Sequence, residues 1–447
     1  MIVRTVKSFD KGMYIPHHKE YTNEKNITRL LPYPEEVIIP LNQHIGQTVD
    51  PLVKPGDRVK VGDKIGDLDE FWSAPVFASV SGVVKSVEER PTGTDGNCLS
   101  VVIEADEEQP EFQITERKNW QKLSLKELKQ LLKENGIVGM GGAACPTHIN
   151  VSAEDPVPNL ILNGAECEPF LTCDHRMMVE WADKLVKGAQ ILFKIIQAQD
   201  CFIGIETNKP DAIEVLEEKT ADLDNFHVVP LDTKYPQGYK KTLIKAVTDK
   251  EPPMGARSAE VGCIVRNVGT TIAIYEAIAR QKPLFERVTT VSGPDTVPEA
   301  GNYIIPIGTT VRHILTSCGV DVNNIKGHKI VMGGAMTGTA VNTLDAPLTK
   351  SDTGVLLLPE EMVEVSGEPG PCIRCGKCVD NCPMFLFPNE LSLAAEAEDY
   401  HEAERLHATE CAECGICSYV CPSLRPVVES IVQAKPEAKK IRRSKDK

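Results

Sequence analysis

Eight cysteines near the C-terminus fall into two copies of one spacing, Cys372, Cys375, Cys378, Cys382 with Pro383, and Cys411, Cys414, Cys417, Cys421 with Pro422. Each copy reads C-x2-C-x2-C-x3-C-P. Three thiolates on so tight a turn can take three corners of an iron-sulfur cubane, while the fourth, held off by its proline, points towards the other copy. The spacing therefore predicts two [4Fe-4S] clusters with crossed ligand sets, Cys372, Cys375, Cys378 and Cys421 for one, Cys382, Cys411, Cys414 and Cys417 for the other. Gly376 and Gly415 follow the second cysteine of each run, where a side chain is expected to obstruct the turn. Zinc knuckles or a disulfide framework are the competing readings; zinc sites use two separated pairs, and neither gives the trailing Cys-Pro a role.

These runs occupy a small part of 447 residues, a length for about three domains, so something upstream must supply or take the electrons. A net charge of -15 and an aromatic content of 5% argue against nucleic acid as a partner. Fifteen cysteines without an N-terminal apolar signal region point to the reducing cytoplasm. Those outside the two runs, Cys98, Cys145, Cys167, Cys173, Cys201, Cys263 and Cys318, share no metal spacing and read as small buried hydrophobes. No stretch approaches the ~18 to 20 apolar residues that span a bilayer. From Lys435 to Lys447 seven Lys or Arg face only Glu437 and Asp446, which reads as a solvated, disordered basic tail or as a docking element for anionic lipid or an acidic partner.

Along the chain, Val37 to Glu104 alternates short β-rich pieces with turns. The phrase from Leu52 to Asp63 resembles the lipoyl and biotinyl carrier hammerhead, but no lysine lies between Lys64 and Lys85, and Phe71-Trp72-Ser73-Ala74-Pro75 stands there instead. The module is thus expected to be structural or a docking piece. After an acidic linker, Glu104 to Glu111, a helix begins with a capping box, Ser124 with Glu127, and ends at Gly136. Apolar runs at Asn159–Ala165, Cys201–Glu206, Phe226–Leu231 and Val261–Val268 alternate with helical stretches, an α/β pattern; the longest helix is expected over Met177–Gln199. Arg287 to about Val365 returns to short strands and Gly-rich turns that fit a β-grasp module, and Pro388 to Ala408 reads as one or two helices. The expected fold class is multidomain α/β: residues 1–110 a β hammerhead (barrel-sandwich hybrid), 111–285 a Rossmann-like FMN/NADH-binding domain, 286–365 β-grasp, 366–432 a two-[4Fe-4S] ferredoxin-like segment, and 433–447 the tail.

Between the capped helix and the first of those strands lies Gly139-Met140-Gly141-Gly142-Ala143-Ala144-Cys145-Pro146-Thr147, whose glycines allow backbone N–H groups to converge on an anion; a plain turn is the alternative. The next strand ends in Asn163-Gly164-Ala165-Glu166-Cys167-Glu168-Pro169, at a sheet edge where ligands bind, with a capped turn as the alternative. Together these segments resemble the NADH-oxidising flavoprotein of respiratory complex I and of NAD-linked hydrogenases: the first is similar to its G-R-G-G-A-G-F-P-T loop, the second to its N-A-D-E-x-E-P strand end. Tyr235-Pro236-Gln237-Gly238 and Val265-Arg266-Asn267-Val268-Gly269-Thr270 are similar to its Y-x-x-G and V-N-N-V-E-T segments. The resemblance implies that Gly139, Gly141, Gly142, Asn163, Glu166, Asn267 and Thr270 line FMN, with Tyr235 and Gly238 in the cofactor site and Glu168 nearer the nicotinamide nucleotide. Met140 stands in place of an arginine, Cys145 of an aromatic residue, Asn150 of a lysine and Arg266 of the first asparagine.

The order of modules resembles the RnfC family of the Rnf-type ion-translocating oxidoreductase complexes over essentially the whole chain. That resemblance implies a peripheral subunit on the cytoplasmic face of a membrane complex. It would pass electrons between NADH, FMN and two [4Fe-4S] clusters, while other subunits, including a ferredoxin-like one, couple transfer between NAD(H) and ferredoxin or quinone to Na+ or H+ translocation. A flavin belongs with clusters because hydride moves two electrons and a cluster accepts one; no acid-base residue is required. The same architecture also resembles the cobalamin reductase of diol-utilising microcompartments. A soluble flavin module of a hydrogenase or formate dehydrogenase, and a non-catalytic electron conduit, are further readings.

Overall fold

The computed structural model describes residues 5–93, 96–153, 155–363 and 368–445. The expected boundary at 365/366 and the last two residues of the tail lie outside them.

Short strands separated by Gly-containing turns build the N-terminal barrel. An antiparallel sheet runs in the order Glu36–Pro40, Asn97–Ala105, Gly82–Pro91, Arg58–Val59, and a smaller sheet joins Asp50–Pro51, Lys64–Asp67 and Val76–Phe77. Val37, Ile39, Leu41, Val49, Ile65, Val76, Val101 and Ile103 fill the space between them.

The four apolar runs of the α/β pattern form one parallel sheet ordered Phe226–Leu231, Asp200–Glu206, Asn159–Gly164, Cys263–Asn267. Both faces are covered, which is why the strands read as continuous apolar runs. Helices Ala182–Ile196 and Val268–Ala279 pack on one side, and Lys240–Thr248 covers the other. The expectation of one long helix over Met177–Gln199 is corrected. Trp181 (φ -118°, ψ 28°) breaks it into Cys173–Glu180 and Ala182–Ile196, so the first piece can aim its N-terminus at the site while the second lies along the sheet.

A third sheet is ordered Ile27–Arg29, Gly301–Pro306, Glu286–Ser292, Gly354–Leu358, Lys329–Met332, Thr339–Val341. Its edge strand, Ile27–Arg29, comes from the chain's beginning rather than from the third module, and pairs parallel with Gly301–Pro306. Residues 7–15 form a strap: Lys7 bridges to Leu231 and Met13 to Tyr235, while the Lys11 ammonium donates to the Val379 carbonyl at 2.8 Å.

The cysteine segment packs on three helices, Pro388–Glu396, Tyr400–Arg405 and Val427–Lys445. The expected disordered basic tail is overturned, because the last helix continues to Lys445 through Pro436. Ile431, Ala434 and Ala438 recur on one buried face, and the basic residues find acids brought from distant turns. Lys435 meets Glu413, Arg442 meets Glu410 at 3.2 Å, and Lys445 meets Glu404. No helix among the described residues is long and apolar enough to cross a membrane.

Candidate functional site

In the parallel sheet the chain leaves the first strand in one direction and returns beside it only with the fourth. The crevice beyond the carboxyl ends of Asn159–Gly164 and Cys263–Asn267 is therefore the topological switch point, where ligands of open α/β sheets bind. Asn163 and Asn267 stand opposite each other in register there. Asn267 caps the following helix, its Oδ1 accepting from Thr270 N at 3.2 Å, and its Nδ2 donates to Asp174 Oδ2 at 2.6 Å. Asn163 Nδ2 donates to the Gly238 carbonyl at 2.8 Å.

The glycine loop forms the facing wall. Met140 N donates to Thr270 Oγ1 at 2.9 Å, its carbonyl accepts from Arg287, and its side chain is buried in the core. A Cβ on Gly141 would lie 2.9 Å from Asn267 Nδ2, so only glycine lets the loop approach the second strand end; Gly142 faces open space. Gly139, Gly141, Gly142, Asn163, Gly238, Asn267 and Thr270 thus gather around one crevice.

The carboxylates of the two acids are engaged by neighbouring protein groups. Glu166, at φ +46°, accepts from Asp174 N at 2.6 Å and His175 N at 3.2 Å, so its carboxylate caps the helix Cys173–Glu180. Glu168 is half-buried between modules, accepting from Met336 N at 2.9 Å, Thr337 Oγ1 at 2.6 Å and Tyr235 OH at 3.4 Å; desolvation raises its carboxyl above the ordinary range. Tyr235 also donates to the Cys414 carbonyl at 2.8 Å, so it joins the α/β domain to the cysteine segment. Two buried lysines hold the loop between these acids. Lys19 Nζ donates to the carbonyls of Glu166 (2.8 Å), Glu168 (3.0 Å) and Leu171, and Lys209 Nζ to that of Ala165 at 2.6 Å.

Arg266 completes the crevice. It is 9% exposed, and beyond Nη1 on the Val265 carbonyl its Nε and Nη2 have no partner among the described residues. Burial lowers it to about 10, with Cys145 the only opposing influence; Lys240 beside it is lowered by burial and then by Arg266. Two cations thus lie close together with no carboxylate named against them among the described residues, an arrangement that favours an anion. The resemblance at Val265–Thr270 pointed to this strand end, yet residues 266 and 240 meet only through the fold.

The eight cysteines form two groups. Cys382, Cys411, Cys414 and Cys417 line one pocket, and Cys372, Cys375, Cys378 and Cys421 line another. The two halves repeat one backbone. Arg374 and Glu413 are left-handed at φ +53° and +56°, Gly376 and Gly415 at +81° and +78°, and Phe385 and Leu424 at +56° and +53°. A Cβ on Gly376 would meet nothing closer than 3.9 Å, so that glycine answers a positive φ rather than the steric obstruction expected from sequence. Burial pushes the Cys414 thiol up to about 12, so a bound metal is what holds these sulfurs as thiolates. Of the remaining cysteines, Cys173, Cys201, Cys263 and Cys318 are buried, and Cys98, Cys145 and Cys167 are half-buried.

Residues 7–108 match the family described as RnfC barrel sandwich hybrid domain, residues 132–276 the Nuo51 FMN-binding domain and residues 364–439 a 4Fe-4S dicluster domain. A Clostridium ljungdahlii protein, the C component of a proton-translocating ferredoxin:NAD(+) oxidoreductase complex, is 43% identical over 404 residues, 89% of this chain and 87% of that one. The chain belongs to the RnfC family. The Acetobacterium woodii member, the C component of a Na(+)-translocating ferredoxin:NAD(+) oxidoreductase complex, is 38% identical over 433 residues, 96% of this chain and 97% of that one. A longer member from Haemophilus influenzae (strain 86-028NP) is 38% identical over 403 residues, 89% of this chain and 59% of that one. Among solved structures, NAD+-reducing [NiFe]-hydrogenase in the air-oxidized state gives a TM-score of 0.49 at 16% identity, over 71% of this chain and 66% of that one. The residues present fit the family's flavin mononucleotide: unpartnered guanidinium nitrogens suit a phosphate, and the glycine loop leaves room for a flat ring.

Proposed function

We propose that the chain exchanges electrons between NAD(H) and the one-electron carriers of a membrane-bound ferredoxin:NAD+ oxidoreductase complex, as a peripheral subunit on its cytoplasmic face. Bound FMN supplies the conversion between two-electron hydride and single electrons, and each [4Fe-4S] cluster carries one electron. Arg266 and Lys240 neutralise the phosphate, while Asn163, Asn267 and Thr270 shape the crevice through the bonds they make to the glycine loop, Gly238 and Asp174. Cys372, Cys375, Cys378 and Cys421 hold one cluster, and Cys382, Cys411, Cys414 and Cys417 the other. In this reading Glu166 and Glu168 build the walls and the junction, not the nucleotide contacts. The third module, with its hairpin, helix and parallel returning strand, is read as β-grasp.

The observation that carries this reading is the bond from Tyr235 to the Cys414 carbonyl, which ties the crevice's domain directly to one cluster loop. Ile416 is buried against Tyr235 and Ile15 in the same contact, whereas Cys375 is exposed and its neighbour Ile373 is 63% exposed. The cluster of Cys382, Cys411, Cys414 and Cys417 is therefore proximal to the crevice, and the other faces outward to a ferredoxin-like partner. Anaerobic titration of the loaded protein with NADH tests the whole scheme: flavin bleaching together with electron paramagnetic resonance signals of reduced clusters is expected. Clusters that stay oxidised while NADH is added in the presence of FMN would leave only a conduit.

A further inference from the structure

The duplicated cysteine motif allows the two cluster loops to be compared at matched positions. Cys372-Ile373-Arg374-Cys375-Gly376-Lys377-Cys378 repeats as Cys411-Ala412-Glu413-Cys414-Gly415-Ile416-Cys417. Lys377 and Ile416 each open the short helix after the positive-φ glycine, Lys377–Asp380 and Ile416–Tyr419, so the backbones correspond residue by residue. The side chains between the ligands do not. In the inner loop Ile416 is buried against Tyr235, and Glu413 is paired with Lys435. In the outer loop Ile373 stands out into solvent, and Arg374 and Lys377 are exposed with no ion pair to either among the described residues. All three line the pocket of Cys372, Cys375, Cys378 and Cys421, where the remaining charged residue, Arg425, is already paired with Glu396; no charged residue lines the inner pocket. Asp380, at the far end of the short helix, is exposed and does not line the pocket. Because one backbone carries Ala, Glu and Ile in one copy and Ile, Arg and Lys in the other, ligation does not demand the second set. What the loop faces does.

The occupant follows from charge and from the electron. An apolar side chain flanked by two free cations has the make-up of a small electron-transfer interface, an apolar centre with a charged rim. The chain carries a net charge of -15, so this local reversal of sign draws an acidic surface to the outer loop while the rest of the molecule repels it. The occupant must also exchange an electron with the cluster beneath, which a lipid headgroup cannot do. We infer that Ile373, Arg374 and Lys377 form the docking patch for an acidic protein surface that surrounds a one-electron cofactor. This rests on the function proposed above.

The test runs electrons inward through the FMN- and iron-loaded chain under anaerobic conditions. A pre-reduced acidic [2Fe-2S] ferredoxin serves as the probe. Two ferredoxins give up one electron each, and NAD+ takes both with one proton to become NADH. Reduced methyl viologen, a small cation that also gives one electron, is the comparison donor. Arg374→Glu combined with Lys377→Glu is expected to lower the second-order rate constant with ferredoxin about tenfold at low ionic strength. The difference should vanish near 1 M salt, where the screening length is about 3 Å, and the viologen reaction should not slow. Arg374→Gln combined with Lys377→Gln should fall between parent and reversal, and flavin and iron contents equal to the parent's establish that the variants are loaded. An unchanged ferredoxin rate in the reversal variant would overturn the patch. Equal slowing with both donors would overturn it too, since the cations would then act on the cluster itself. Loss of binding to phosphatidylglycerol vesicles with the ferredoxin rate kept would assign the patch to lipid instead. A parent chain that forms no NADH from either donor would bring down the functional reading itself.

Discussion

Arg266 illustrates how a single residue decides what a crevice can hold. A guanidinium that is nine-tenths buried, with two nitrogens unpartnered, is costly unless an anion completes it. Arg266→Ala is therefore expected to release FMN while leaving iron content at the parental value, read from flavin fluorescence after denaturation and from iron analysis of the same samples. Lys19→Met should act one step further away. Without three carbonyls gathered by one ammonium, the 166–171 loop loosens, and the expected result is weaker FMN retention with a melting temperature a few degrees lower, checked by thermal unfolding with and without added FMN. The cysteine pattern was legible in the sequence because its chemistry is local, a few residues on one turn. Arg266 with Lys240, and Lys19 with the acidic loop, were not, since each pair meets only after strands far apart in sequence have been laid side by side.

Elements were legible in proportion to how much of their pattern is their own. The parallel strands are buried on both faces, so their apolar runs stand out and the boundaries differ from expectation by a few residues at most. The C-terminal helix was hidden because its stability is largely borrowed: Glu404, Glu410 and Glu413, from distant turns, pair with its Lys445, Arg442 and Lys435. Ending the chain after Lys435 should accordingly lower the resistance of the clusters to loss on mild heating, followed by the decay of visible absorbance. A second borrowed contact joins three modules. Lys350, 1% exposed, comes from the third module and donates to the carbonyls of Pro75 in the barrel (2.7 Å) and Gly136 before the glycine loop (2.9 Å). Burial lowers it to about 7 from 10.5. A lysine whose folded value lies below its unfolded one binds its proton more weakly when folded. Its full contribution is present above about 10.5 and is lost as pH falls towards 7. Stability should rise from pH 7 to about 10 in the parent relative to Lys350→Met, in which that part of the slope is absent; denaturant unfolding across the range measures it.

For the molecule as a whole, the arrangement of modules sets the order of the clusters. Cys414→Ser, at the junction with Tyr235, is expected to prevent NADH from reducing either cluster, whereas Cys375→Ser on the outer side should leave the inner cluster's paramagnetic signal and remove only the onward transfer. Loss of both signals in Cys375→Ser, with one signal retained in Cys414→Ser, would reverse that order. Duplication of the cysteine runs was legible in the sequence, but their position was not, because no residue within them encodes what they pack against. That position is secured by the strap of residues 7–15, which lies against Leu231 and Tyr235 on one side and Val379, Asn381 and Ile416 on the other. Lys11 and Val379 are 368 positions apart, so this bond joins segments that most of the fold separates in sequence. A contact of that sequence separation carries a large loop-closure cost, so closure of the strap is expected late in folding.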